Sequence, residues 1–429
     1  MGAQAPRERT PVSPTKAGNL RIDAQRYWDS LMEMAKIGAT PKGGCNRQTL
    51  TDLDREGRDL FKRWCEAAGL TVTVDEMGNM MALRPGRRPE LPPVAIGSHL
   101  DTQPTGGKFD GVAGVLAGLE IVRTLNDAGY ETDHPILVVN WTNEEGTRFA
   151  PAMLSSGVFA GAFTKAWAYD RTDREGKRFG DELERIGYKG TLACAPPPGG
   201  WKAHLELHIE QGPILEAEGK TIGVVEGAQG IRWYDVAITG KESHAGSTPM
   251  PRRKDALVAA AKVVAGLDAL ARDYGPHAVI TVGVLEIAKP SRNVVPGRVT
   301  FTIDLRHPDD ATLAELDGKV RGLVAEACAR DGLPHTVDPI WHFPSVRFDP
   351  TCVAAVREAA EASGFSWRPM ISGPGHDSCY TARVVPTAMI FVPCRDGLSH
   401  NEEEWAEPEH LAAGCQVLLQ AVLRLARAE

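Results

Sequence analysis

Two apolar runs, PVAIGSH and PILVVNW, flank a helical stretch rich in small residues, GVAGVLAGLEIVRTLNDAG, and this order constrains the fold more than any other feature of the chain. Each run is short and continuous, as a buried strand is. Strand, helix and strand in succession imply an α/β sheet. In open sheets of that class ligands collect beyond the carboxyl ends of the strands. Both runs turn polar at that end, with His99 and Asp101 after the first and Glu144 and Glu145 after the second. The two strand ends are therefore expected to converge on one crevice.

The rest of the chain divides around this unit. Residues from about Ile22 to Gly69 carry helical periodicity, with Thr51 and Asp52 as caps near the second helix. LTVTVDEMGNMMALRPG alternates like a hairpin around Met77, Gly78 and Asn79. From roughly Gly223 the texture shifts: the strands IRWYDVAITG, AVITVGVLEI and VTFTIDLRH interleave with two helical segments, which suggests a separate α+β layer. After about Val346 helix and strand segments resume, including TAMIFVP, and the chain ends in a helix. A length of 429 residues suits two domains. The expected fold class is α/β, with a larger domain formed by residues 20–224 and 345–429 and an inserted smaller domain, 225–344.

Composition narrows the partners. A 42% hydrophobic, 24% charged chain is globular, and its net charge of -8 offers no basic field for nucleic acid or anionic lipid. A small-molecule substrate is expected, with no nucleic acid and no membrane partner. The polar, Pro-containing start has no apolar leader, and no apolar run is long enough to cross a bilayer. Met1-Gly2 resembles the start of a myristoylation signal, but Pro6 stands where Ser or Thr is required. Eight cysteines are scattered singly, without a C-x-x-C pair, and read as reduced core thiols. A soluble, cytoplasmic protein is expected.

The chemistry lies in the strand-end loops. His99 and Asp101 are two apart, so both side chains project to one side of an extended strand end. Asp110 follows a Gly-rich turn at the start of a helix, where it either caps the helix or joins a ligand set. Glu144 and Glu145 are adjacent like charges, which need solvent or a cation to offset them. HLELHIEQGP places His204, Glu206, His208 and Glu210 on one side of a strand, and the spacing alone does not select among them. His400, in GLSHNEEEW, stands in a loop after TAMIFVP, and His376 and Asp377 stand in the Gly-rich loop SGPGHDS.

IGSHLDTQPTGGKFDG, NWTNEEGTRF, LELHIEQGP, SHAGSTPM, RNVVPGRVTFTIDLRH, SGPGHD and GLSHNEEE, in that order, resemble the signatures of the M20-type hydantoinase/carbamoylase amidohydrolases. That family includes N-carbamoyl-L-amino acid hydrolases, β-ureidopropionases and allantoate amidohydrolases. The resemblance implies two zinc or manganese ions bridged by Asp110, one taking His99 and His400 and the other Glu145 and His208. It leaves His204 without a role, makes Asp101 the partner that orients the His99 imidazole, and makes Glu144 the general base. His244 is implied as the oxyanion donor, and Gln211, Asn293 and Arg306 as substrate-binding residues, Arg306 for a carboxylate. His376 and Asp377 are given a supporting role.

The smaller domain then acts as lid and dimerisation domain, and the resemblance implies a homodimer in which His244 crosses the interface. The implied reaction is hydrolysis of the ureido C–N bond of an N-carbamoyl amino acid that also carries a carboxylate. Allantoate hydrolysis, an M20-type peptidase and a non-catalytic binding protein are the alternatives. His208 argues against the peptidases, which usually place an acidic ligand there, and retention of Glu144 and all five ligand positions argues against a binding protein. Pro374 and Arg292 depart from the family pattern, where Ala and an uncharged residue are usual.

Overall fold

In the computed structural model the described residues run from Asn19 to Ala428, so the reading of Met1, Gly2 and Pro6 lies outside them. The chain folds as two compact units: one reaches Glu226 and resumes at Arg347, and the other is Gly227–Val346.

The larger unit is built on a nine-stranded sheet. Its centre is four parallel strands in the order Ile136–Trp141, Val94–His99, Ala203–Ile209 and Thr387–Val392. Every residue of the four is buried, which is why they read as continuous apolar runs and do not alternate. The hairpin Thr71–Val74 and Met80–Arg84 extends one side of the sheet antiparallel, with Val74 opposite Met80. Helix Val112–Asp127, rich in Gly and Ala, is buried along most of its length, and so is the closing helix Pro408–Leu425. Helix Asp52–Ala67 begins at Thr51, whose hydroxyl accepts the Asp54 N–H. The α/β class implied by the strand-helix-strand order is the class observed.

Helix Val112–Asp127 starts at Gly111, and no side chain caps it. Asp110 is therefore not a cap. Gly111 has φ +67°, and a Cβ there would lie 2.4 Å from the His99 ring, so this position requires glycine on both counts.

The smaller unit is a five-stranded sheet with two helices. Strand Gly230–Thr239 pairs antiparallel with Arg298–His307 on one side and His335–Phe343 on the other. Arg298–His307 alternates buried and half-exposed residues over most of its length, the period-2 signature of a half-buried strand. Its inner face, with Phe301, Ile303 and Leu305, joins Tyr234, Val236 and Ile238 and the apolar sides of helices Ala256–Asp273 and Asp310–Ala329 in one core. Among the described residues no helix is long and apolar enough to cross a membrane.

Candidate functional site

Four strand ends deliver polar side chains to one place in the larger unit. His99 closes its strand, His208 is the next-to-last residue of Ala203–Ile209, and Glu144 and Glu145 follow Trp141 after a short turn. His400 lies in the loop after Thr387–Val392. Asn143, Gln211 and His400 hold left-handed φ values of +63°, +56° and +54°. Each such conformation costs about 1–3 kcal/mol in a non-glycine residue, and such strain clusters at functional sites.

The geometry centres on Asp110. Its Oδ1 lies 3.1 Å from His208 Nε2 and 3.4 Å from His99 Nε2, while its Oδ2 lies 3.4 Å from His400 Nε2. Glu145 Oε2 is 3.5 Å from the same His400 nitrogen. Three sets of side chains are each close enough to hold a metal ion, and two of them share Asp110: His99, Asp110 and His208, and Asp110, Glu145 and His400; the third is Glu206, His208 and His376. The two sets that share Asp110 group its neighbours differently from the resemblance, which put His99 with His400 and Glu145 with His208. The two oxygens of Asp110 face different strand ends, and chain order carries no information about which ends they face.

The donor set fits divalent cations. It mixes imidazole nitrogen with carboxylate oxygen, as zinc and manganese sites do. His99 Nε2 and Glu145 Oε1 are buried without a hydrogen-bond partner. The carboxylates also crowd one another. Burial pushes Glu144 well above the usual carboxylate range, with Asp377, Glu145 and Asp110 adding to the shift and His99 opposing it. Burial likewise moves Glu145 up to about 8. It acts on Asp110 in the same direction, but His208, His400 and His99 outweigh it and hold that carboxyl well below its usual range. Cations at the centre would offset this crowding.

Asp101 does not hold the His99 ring through its carboxylate. Its Oδ1 is 3.8 Å from His99 Nδ1, beyond hydrogen-bond reach, and Nδ1 is instead 2.9 Å from the Asp101 main-chain oxygen. The carboxylate accepts the N–H groups of Glu144 and Glu145, each at 3.3 Å. It therefore orders the turn that carries both glutamates. Glu144 Oε2 in turn lies 3.6 Å from His99 Nε2.

Gln211 joins this cluster, its amide donating to Asp110 Oδ2 at 2.8 Å. Within HLELHIE the structure separates what spacing could not. His204 lies among Trp141 and Trp201, and burial lowers it to about 3. Glu206 accepts from the Ser98 and Ser378 hydroxyls at 2.7 and 2.6 Å, and Glu210 accepts the Ile214 and Leu215 N–H groups. His376 is buried with its ring centre 4.4 Å from that of His208, and Asp377 accepts the Ser156 hydroxyl. The Pro374 carbonyl accepts the Ser372 hydroxyl at 2.9 Å.

His244, Asn293 and Arg306 belong to the smaller unit. Ser243–His244 pairs with Val294–Val295, and the Asn293 carbonyl accepts the Ala245 N–H, so His244 and Asn293 come together. His244 is exposed, and its Nδ1 accepts the Gly246 and Ser247 N–H groups at 3.0 and 3.1 Å. A neutral ring therefore carries its proton on Nε2, ready to donate. Arg292 is exposed beside Asn293. Arg306, on strand Arg298–His307, holds Asp304 on the half-exposed face.

Residues 95–424 match the peptidase family M20/M25/M40. The chain belongs to that family. This M20 hydrolase is 54% identical over 408 residues to an N-carbamoyl-L-amino-acid amidohydrolase of Rhizobium meliloti, covering 95% of this chain and 98% of that one. It is 33% identical over 418 residues to a ureidoglycolate hydrolase of Arabidopsis thaliana, covering 95% and 88%. A crystal structure of an amidase of the hydantoinase/carbamoylase family from Burkholderia multivorans matches with a TM-score of 0.92 and 57% identity, over 96% of this chain and 99% of that one. The M20 chain is thus an amidohydrolase of the hydantoinase/carbamoylase type.

Sequence reading of this M20 amidohydrolase passed over several side chains that contact the cluster. Gln103 donates to Glu145, and the Thr147 hydroxyl donates back to Gln103. Arg47, buried, donates to the Leu100 carbonyl at 2.8 Å and so pins the loop between His99 and Asp101. Ser399 and Glu404 flank His400 in sequence and reach Asp110 and its backbone. Gln103, Thr147, Ser399 and Glu404 carry a signal, being polar residues within the motifs singled out above, and Arg47 carries none.

Proposed function

We propose that the protein hydrolyses the ureido C–N bond of an N-carbamoyl-L-amino acid, with two divalent ions, zinc or manganese, held by His99, Asp110, Glu145, His208 and His400. What carries this reading is the convergence of three histidines on the two oxygens of Asp110, with Glu145 beside His400. The ions, when bound, supply Lewis-acid polarisation and a more acidic water.

The chain's own residues do the rest. Glu144 takes a proton from the attacking water and returns it to the departing amino nitrogen, so the carbamoyl carbon gains an oxygen and loses the C–N bond to the amino acid. The released carbamic acid falls apart to ammonia and carbon dioxide. His244, donating from Nε2, stabilises the oxygen on which charge accumulates, and removal of such a donor costs roughly 3–4 kcal/mol of transition-state stabilisation. Gln211 and Asn293 hold the ureido group, and Arg306 holds the carboxylate by paired hydrogen bonds. The smaller unit serves as lid and dimerisation surface in a homodimer, with His244 reaching the site of a second copy. All eight cysteines are unpaired and buried, which suits a reducing cytoplasm.

Ammonia release from the metal-loaded protein tests the substrate. N-carbamoyl-L-amino acids are expected to turn over fastest, ahead of N-carbamoyl-β-alanine and allantoate. Ureidoglycolate is the second reading, favoured by the likeness to the Arabidopsis enzyme and by its own pairing of ureido group and carboxylate. Release of ammonia from ureidoglycolate alone would replace the first reading with the second. Turnover of none of the four would end both.

A further inference from the structure

Two of the loops that reach the cluster lie far apart in the chain, GGKFDG around Asp110 and GLSHNEEEW around His400. One side chain joins them. Glu404 is buried, and its Oε1 accepts the backbone N–H groups of Phe109 and Asp110 at 3.0 and 3.2 Å. Its Oε2 lies 2.9 Å from the Ser399 hydroxyl, and that same hydroxyl lies 3.0 Å from Asp110 Oδ2. Ser399 directly precedes His400. The carboxylate thus holds the backbone of the central aspartate and, through Ser399, the side chain of that aspartate and the start of the His400 loop.

The packing around Glu404 leaves it no other place. A Cβ at Gly107 would stand 2.0 Å from the Glu404 carboxyl carbon, so glycine is what lets the Asp110 loop close over the side chain. Trp405, next in the chain, lies 5.7 Å from Phe109 and 5.6 Å from Trp28, centre to centre, and clamps the two loops from the apolar side. A buried carboxylate with several polar partners, one on the backbone of Asp110 and one on that of Phe109 beside it, is a costly arrangement for mere packing.

We infer that Glu404 is a positioning residue: it sets the orientation of Asp110 relative to His400 and so tunes the affinity of the cluster for metal. This rests on the two-ion reading proposed above. The Ser399 hydroxyl has one proton and faces two carboxylates, Asp110 and Glu404. In Glu404→Gln the amide oxygen still accepts from Phe109 and Asp110, the amide N–H donates to Ser399 and the Ser399 proton goes to Asp110, so the connection survives. Glu404→Ala deletes it.

The test is zinc binding to the full chain, by competition with a chromogenic chelator, with the melting temperature of the metal-free protein read alongside. Glu404→Ala is expected to weaken zinc by on the order of 10- to 100-fold. Glu404→Gln is expected to stay within about threefold of wild type, since the amide keeps the two backbone hydrogen bonds in neutral form and adds an N–H to Ser399 that offsets the lost charge. Ser399→Ala, which cuts the bridge to Asp110 and a contact from the Gln211 amide but leaves the Glu404 bonds to the Phe109 and Asp110 N–H groups, is expected to fall between them and decides the matter if Glu404→Ala does not fold. Equal zinc affinity in wild type, Glu404→Ala and Ser399→Ala overturns the inference, as does a Glu404→Gln loss as large as that of Glu404→Ala. A wild type that binds no zinc and no manganese overturns the two-ion reading instead, so the two failures are distinct.

Discussion

Arg306 closes on Asp304 with two parallel hydrogen bonds, Nε to Oδ1 at 2.8 Å and Nη2 to Oδ2 at 2.7 Å. The two residues stand two apart on one face of the same strand, so Asp304 aligns the plane of the guanidinium while strand pairing holds its base. A guanidinium aligned this way presents a planar fork, the geometry that pairs with carboxylates and that a lysine ammonium lacks. Arg306→Lys keeps the charge and loses the fork. Steady-state kinetics on an N-carbamoyl-L-amino acid are expected to give a KM raised on the order of tenfold, with kcat less affected, as for loss of a binding contact. An unchanged KM would remove Arg306 from substrate binding.

Glu144→Gln is expected to lower kcat by about 10²- to 10⁴-fold, the usual contribution of a positioned general base, while zinc stoichiometry is retained. Ammonia release with metal analysis on the same sample checks both halves. Retained turnover would assign the proton transfer to another group.

Removal of metal by a strong chelator is expected to abolish ammonia release, and zinc or manganese to restore it. Asp110→Asn weakens both sets at once, because His99 and His208 face one of its oxygens and His400 faces the other. Elemental analysis is expected to give about two ions per wild-type chain and fewer than one for the variant, an estimate that follows from the shared ligand. Two ions retained in Asp110→Asn would refute a bridging role.

Asp101 orders the turn of Glu144 and Glu145 through their N–H groups. Asp101→Ala is therefore expected to lower kcat/KM by on the order of 10- to 100-fold, in the range seen for partners that orient metal ligands. Because the carboxylate does not reach the His99 ring, that histidine's tautomer is expected to persist in the variant. NMR of the imidazole nitrogens reads this directly.

Asp75 accepts the Met77 and Asn79 N–H groups and the Asn79 amide, and burial nevertheless moves its carboxyl up to about 6. A folded-state pKa above the unfolded value means that its contribution to stability is present at low pH and lost as pH rises toward 6. The stability difference between Asp75→Asn and wild type is expected to shift in favour of the variant between about pH 4 and pH 6, where the wild-type carboxyl ionises. Paired thermal melts across that range measure it. A pH-independent difference would mean that Asp75 ionises at its ordinary pKa.

Much of this protein is local enough to be read from the chain. Continuous apolar runs announce strands buried on both faces, since nothing polar can be spared on either side, and the polar residues that follow them mark the strand ends. His99, Glu144, Glu145 and His400 stand out that way as candidates, and the hairpin around Gly78 and the cap at Thr51 follow from turn and capping chemistry alone. The motif order supplied Asp110 and His208, which spacing left open.

The tertiary structure decided what depends on relative orientation. Which histidine shares which oxygen of Asp110 is set by the order of parallel strands, and strand order is not written in chain order. Asp101 holds two backbone N–H groups and not an imidazole, because a carboxylate two residues past a strand end can turn either way. Glu404 joins loops from distant parts of the chain through backbone donors, which look alike at every position of a sequence. Residue identity thus determined which chemistry was available, and three-dimensional packing determined which atoms meet, because hydrogen bonds and ion contacts depend on distance and angle that a linear pattern does not contain.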